Sequence, residues 1–441
     1  MSGATPGDRA QAGPPDAAPG TGEPAWRRLG PVARGIILLR ALRSVGQGLL
    51  VVDFVLYLHA IGWGAAAIGA LLSASGLVGA GLMLSVGVLS DRVGRKPFVV
   101  VYECLLLAGT AAVVLSHGAV VIALAATLLG FGRGANGGAG PFGPAEQAWL
   151  ARHTPAPWRG WVFSANSAAS FFGMGLGALA AGLAALALPH LPVVARYNVV
   201  FVASLVVAGV NLAQTLVLPE RGPDAEDRPE LEGGPDRVVA PVLNRREQNR
   251  ALSLVLAVNA VNSLGIGLVG PLVPYWFAVR FGAGPATIGP IYALTFILTG
   301  GATLLTGRWS ARRGLVASIV WPRLLGVLAM VAMALSPTYA LASGLYVVRS
   351  MFNRSSVGAR QAFSLGLVGN ERRGLAASLS GLSMRLPSAL GTAVGGVLFA
   401  ARSFTLPFLL AAGMQLLFVL LYGRVLGPYQ EAAQPGAAAP D

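Results

Sequence analysis

Residues 87–97 read GVLSDRVGRKP and lie between two long apolar runs, 65–86 and 98–115. Four charges, Asp91, Arg92, Arg95 and Lys96, packed between two membrane-length segments describe a tight charged hairpin at a membrane surface. Gly87 and Gly94 permit close packing and a sharp reversal. Asp91 sits where it could accept hydrogen bonds from backbone donors. An ordinary basic loop accounts for Arg92, Arg95 and Lys96, but not for the acid or the glycines.

Composition extends the membrane reading to the whole chain. Of 441 residues, 54% are hydrophobic and only 11% charged, with a mean hydropathy of +0.65. Soluble domains carry about 25% charged residues, so the missing charge points to lipid as the solvent. The net charge of +14 raises the question of nucleic acid. The arginines, however, gather in alternate loops, and Trp158, Trp161 and Trp309 among them suit interfacial anchoring as well as base stacking. One cysteine, Cys104, excludes an intramolecular disulfide and a cysteine metal cluster, and the four histidines stand far apart, so no metal or cofactor is expected. The single lysine, Lys96, is followed by Pro97, so no Gly-Lys-Ser/Thr phosphate loop and no ATP site of that type can form. A serine-hydrolase elbow is also missing, and the chain reads as a non-enzyme driven by an ion or solute gradient.

Twelve apolar spans are expected near 36–60, 66–88, 97–116, 119–140, 161–188, 197–218, 251–279, 286–306, 317–336, 338–358, 374–400 and 404–424. They define an N-terminal bundle, 34–218, and a C-terminal bundle, 251–424. Outside them fall an Ala/Pro/Gly-rich tail, 1–33, a polar linker, 219–250, and a short tail, 425–441. The loops bearing Arg92/Arg95/Lys96, Arg152/Arg159, Arg245/Arg246/Arg250, Arg308/Arg312/Arg313 and Arg372/Arg373 all fall on one side, against Arg196, Arg280 and Arg402 on the other. The positive-inside rule then places both termini in the cytoplasm of a multi-pass cell-membrane protein.

The halves repeat. Gly62, Ile68, Gly69, Gly87, Ser90, Arg92 and Gly94 match Gly282, Ile288, Gly289, Gly307, Ser310, Arg312 and Gly314 at one constant offset of 220 residues. The second copy has Ala311 where the first has Asp91.

The pattern G-x-L-S-D-R-x-G-R-K resembles the loop between helices 2 and 3 of the major facilitator superfamily of secondary transporters. The resemblance covers about residues 34–424 and implies an all-α membrane fold of two six-helix bundles, with a site between them near the midplane. It further implies that Gly87, Ser90, Asp91, Arg92, Gly94, Arg95 and Lys96 form a gate, and that spans 1, 4, 7 and 10 line the cavity. The lining candidates are then Gln47, Asp53, Arg133, Asn136, Asn259, Asn262, Arg349 and Asn353. For the asparagines, interhelical hydrogen bonding is an equal reading.

Charges inside spans are costly, roughly 2.5–3.5 kcal/mol each on insertion scales, and so mark function by default. RGANG at 133–137 resembles the R-x-x-x-G element of drug:proton antiporters, whose arginine is linked to proton coupling; an arginine held by carbonyls freed by the glycines is the competing account. Asp53 is the only acid of span 1, either a proton carrier or a permanently ionised partner of an arginine. Arg40 and Arg43 lie near the cytoplasmic end, where both can snorkel. Glu103 is a second proton candidate, and its 220-offset mate, Arg323, suggests a gating or structural pair. Glu146 reads as a gate or surface residue. Helix 5, GMGLGALAAG at 173–182, resembles the antiporter signature but lacks its proline, with Ala178 there. Bases outnumber acids in the spans, which favours an anionic or neutral polar solute. The function expected is proton-coupled efflux of a drug-like or secondary-metabolite solute. The alternatives are proton symport of a sugar-like or carboxylate nutrient, and a non-transporting receptor or assembly factor.

Reporter fusions to the termini and to the 219–250 linker are expected to give cytoplasmic signals throughout; a periplasmic signal from the linker would refute the twelve-span reading. Asp91→Asn is expected to insert normally and to lose most transport, measured as solute flux in proteoliposomes.

Overall fold

The computed structural model describes residues 26, 29–132, 140–154, 159–220, 243–313, 315–355, 360, 363–364, 366–368 and 373–430. Among these the secondary structure is helical. The first half contains α1 (Pro31–Ala60), α2 (Ala65–Val93), α3 (Lys96–Leu115), α4 (Ala119–Leu124), α5 (Gly143–Arg152), α6 (Arg159–Ala187) and α7 (Val193–Val217). The second contains α8 (Arg245–Val269), α9 (Val273–Phe281), α10 (Pro285–Arg313), α11 (Leu315–Ala334), α12 (Tyr339–Ser355), α13 (Arg373–Ala400) and α14 (Leu406–Leu421). Among the described residues ten segments are long and apolar enough to cross a bilayer. They correspond to every expected span except the fourth and the tenth.

Span 4 is not the continuous helix expected over 119–140. A π-helical turn, Ala125–Leu129, follows α4 and ends at Gly130, whose φ of +87° only glycine adopts freely. The chain resumes as α5, which carries Glu146. Span 7 breaks where its prolines stand: α8 stops at Val269, a 3-10 turn covers Gly270–Leu272, and α9 restarts with Pro274 in its first turn. The linker is shorter than expected, because α8 starts at Arg245 behind a reciprocal cap in which Asn244 and Glu247 satisfy each other's backbone amides. The C-terminal tail begins later as well. A π turn, Tyr422–Leu426, and a 3-10 turn, Gly427–Tyr429, continue α14 and bury Tyr422 and Leu426.

Glycine seams bring the helices together. Within the first half, a side chain on Gly173 or Gly177 would strike the carbonyls of Ala41 or Val45 on α1, and one on Gly48 would strike Met174 on α6. Within the second half, Gly267 meets Ser388, while Gly391 and Gly395 meet the carbonyls of Leu264 and Leu268. Two further seams join the halves: Gly69 against Gly396 and Gly76 against Ala389 between α2 and α13, and Gly182 against Gly289 and Pro290 between α6 and α10. The proline-less signature at 173–182 is therefore a packing strip with two faces. Gly173 and Gly177 serve α1, while Gly175 and Gly182 serve α10. At the ends opposite the arginine-rich loops, called outer below, His59 packs its ring 5.0 Å from Tyr275 and ties α1 to α9.

Gly177→Leu is expected to destabilise at or above the top of the roughly 1–3 kcal/mol range for overpacking, because the obstacle is backbone. Gly413→Leu on α14, where nothing lies within 4 Å, should be nearly silent. Thermal melts in detergent check the contrast.

Candidate functional site

Helices 1, 3 and 5 bring four charges together inside the first half. The Arg43 guanidinium donates through Nε to Glu103 Oε1 at 2.6 Å and through Nη1 to Glu146 Oε2. Arg40 Nε stands 4.0 Å from Glu146 Oε1, and the Tyr102 ring lies 5.4 Å from the Arg43 guanidinium carbon. All four charged residues are buried, Glu103 completely and Glu146 to 1% exposure. Two cations and two anions balance, which is what allows them this depth.

Three sequence expectations are corrected here. Arg40 and Arg43 do not snorkel; they point inward to carboxylates. Glu146 is not a surface residue but lies buried on α5 against Arg43. Glu103 does not pair with Arg323, because each charge finds its partners within its own half. Counting intramembrane acids against bases within the first half was the one signal that pointed to the pairing.

A small cavity adjoins this cluster, lined among others by Arg43, Gln47, Glu103, Thr110 and Asn211. Its water-accessible volume is about 30 Å³, room for about two water molecules. The side-chain amides of Gln47 and Asn211 have no protein partner and border this space. Gln47 thus lines a cavity enclosed by one bundle.

The second half holds a different cluster. Arg323 on α11 donates from Nη1 to Asn262 Oδ1 at 2.9 Å and to Asn353 Oδ1 at 3.3 Å. The Asn353 amide donates onward to Gln415 at 3.3 Å. The Arg323 and Arg360 guanidinium carbons lie 5.5 Å and 6.0 Å from the Phe418 ring centre. Asn262 and Asn353 therefore make interhelical hydrogen bonds, while buried Asn259 keeps Oδ1 unpartnered. Arg349 is buried on α12 with Nε unpartnered.

Asp53 stands apart from both clusters. It is 2% exposed, Oδ2 has no hydrogen-bond partner, and among the described residues it forms no ion pair. It lines a pocket of about 260 Å³ water-accessible volume with Arg196, Tyr197, Gly284 and Pro285, at the outer ends of α7 and α10.

At the hairpin, Gly87, Ser90, Asp91 and Arg92 belong to the last turns of α2, and Gly94 reverses the chain with a φ of +112°. Glu220, an acid that sequence reasoning left in the linker, accepts from the backbone amides of Arg95 and Lys96 at 3.1 and 3.3 Å. Arg95 reaches the Ala148 carbonyl at 2.5 Å, and Lys96 reaches that of Leu216 at 2.8 Å. The Asp91 and Arg92 side chains, and residues 133–139 with Arg133 and Asn136, lie outside what the structure describes.

The sequence matches the pattern of the Major Facilitator Superfamily over residues 36–258 and 255–440. No curated protein matches it significantly. Among solved structures, a D-xylose–proton symporter superposes with a TM-score of 0.68 at 16% identity, covering 88% of this chain and 97% of that one. A bacterial homolog of the human lysosomal transporter Spinster, inward-facing and occupied, gives 0.68 at 14% identity, covering 95% and 100%. The nucleoside transporter NupG gives 0.66 at 12% identity, covering 89% and 98%.

Arg43→Met strands two buried carboxylates and is expected to cost about 3–5 kcal/mol. Glu146→Gln leaves the Arg43–Glu103 pair in place and should lower the melting temperature less; paired melts in one detergent check the order.

Proposed function

The chain belongs to the Major Facilitator Superfamily, and from that premise we propose that it exports a drug-like or secondary-metabolite solute in exchange for protons. As a member it is a multi-pass membrane protein and a secondary transporter of small molecules by alternating access, not an enzyme. The proton reading rests on Asp53, a buried carboxyl with no ionic partner among the described residues. An unpartnered charge at this depth is costly, and binding a proton removes it. The lining of its pocket supplies the link to movement. Ala185, Val193, Arg196, Tyr197 and Val200 belong to the first half, and Gly284 and Pro285 to the second. Parting the halves at their outer ends opens this pocket to water, and closing them over Asp53 selects its uncharged form. Proton uptake from outside and outer closure are then one linked equilibrium.

Glu103, by contrast, is engaged by a guanidinium at 2.5 Å, and a proton there would compete with that pair. Asp53 therefore ranks before Glu103 as the carrier. A proton moving inward at about 100 mV supplies about 2.3 kcal/mol, enough for roughly a 50-fold solute gradient. The outward direction rests on the antiporter-like RGANG element at 133–137, while the strip at 173–182, lacking its proline, weakens it without removing it. Uptake by proton symport is the competing direction, and the sign of solute flux under an imposed gradient separates the two.

Asp53→Asn is expected to abolish transport driven by a pH gradient in proteoliposomes while solute binding persists. Retained coupling in Asp53→Asn together with its loss in Glu103→Gln would transfer the role to Glu103. Retained coupling in both would refute proton exchange through these acids.

A further inference from the structure

Between Ala251 and Gln430 the chain has thirteen arginines, no lysine and a single acid, Glu371. Three of those arginines, Arg323, Arg349 and Arg360, are buried to 5% exposure or less. Arg349 and Arg360 are close enough to act on Arg323 electrostatically. Among the described residues the first half answers its buried guanidinium groups, Arg40 and Arg43, with carboxylates. The second half answers Arg323 with neutral amides and an aromatic face. Even a pairing of Glu371 with one of the three would leave two buried cations without an anion from their own half.

Arg360 keeps Nε and Nη1 without a partner and Arg349 keeps Nε, and of the two it is Arg349 that stands beside the tyrosines of α10 and α12. It sits one helical turn beyond Tyr346, whose ring lies 5.0 Å from that of Tyr292 on α10. One turn further along α10, Phe296 carries the Arg354 guanidinium at 5.2 Å and stacks at 6.5 Å on Phe171 of the first half. The group therefore lies where the two halves meet, and it combines buried positive charge with flat aromatic walls.

We propose that this face of α10 and α12 binds an organic anion, a carboxylate or sulfonate on a flat apolar body, with Arg349 as its counter-charge and Tyr292, Tyr346 and Phe296 as its walls. The solute class follows from charge balance: an anion completes the second half, whereas a cation adds to an uncompensated excess. Guanidinium offers planar paired donors that match a carboxylate, and the tyrosine rings offer area to an aromatic body. The proposal builds on the transport reading but not on its proton step. An anion leaving the cell also moves with an inside-negative potential, so exchange against a proton would move two charges in the favourable sense.

The test uses the purified full-length protein with 1-naphthoate as probe and benzyltrimethylammonium as its cationic counterpart. Naphthoate is expected to raise the melting temperature in a saturable way, and the cation is not. Arg349→Gln should weaken naphthoate binding at least tenfold, Arg349→Lys less, and Arg402→Gln, in an outer loop, not at all. Equal stabilisation by the cation, or undiminished naphthoate binding in Arg349→Gln, would overturn the proposal. Should Arg349→Gln fail to fold, the anion-against-cation comparison on the wild-type protein decides alone. Because binding is read without any gradient, loss of the anion site and loss of proton coupling register separately. Asp53→Asn should keep the naphthoate shift, and Arg349→Gln should lose it.

Discussion

Burying charge where no water can compensate it is the constraint on which this molecule turns, and Arg43 shows how it is met. One guanidinium joins carboxylates from two other helices, and a second arginine, Arg40, brings the sum to zero. Such a cluster adds little net stability over apolar packing of the same volume, but removing one member is severe. It therefore fixes the register of α1, α3 and α5 more than it strengthens them. The fourth span stops being helical at Gly130, and α5 beyond it presents Glu146 to Arg43.

Around that cluster the helices approach as closely as backbone allows. No hydrophobic force drives helices together in lipid, so small residues and van der Waals contact do the work. The glycine pairs between α1 and α6, and between α8 and α13, build each half. A second set, between α2 and α13 and between α6 and α10, joins the halves. Helices α6 and α13 take part in both sets, so each packs on one helix of its own half, α1 or α8, and on one of the other half. A polar contact also crosses between the halves, from Arg385 of α13 to the Gly140 carbonyl at 3.1 Å.

The two halves share a pattern and differ in charge. Glu103 and Arg323 occupy positions 220 residues apart, and each is the buried ionic centre of its own bundle. The acid faces arginine, while the base faces asparagine. Among the described residues the arginine cluster of the first bundle is balanced by carboxylates and that of the second is not, and an open charge balance is what a binding partner can close. The proposed division of labour gives the first half the proton chemistry and the second the solute.

Much of the fold was legible in the chain. Apolar length, alternation of arginine-rich loops and the 220-residue repeat determined an all-helical membrane protein of two parallel halves, because bilayer thickness and backbone hydrogen bonding leave few other solutions. Span 7 breaks at Pro271 and Pro274, where proline supplies no amide to the helix. Which charges meet was not legible. Arg43, Glu103 and Glu146 are separated by 60 and 103 residues from the arginine outward, and periodicity assigns faces of a helix without saying which helix lies opposite. The reading of Glu146 as peripheral failed on that point, and so did the expected partnership of Glu103 with Arg323. Likewise only the tertiary structure set Glu220 on the amides that open α3 and left Asp53 without an ionic partner among the described residues. Local sequence decides what a residue can pair with, whereas packing between distant helices decides whether it does.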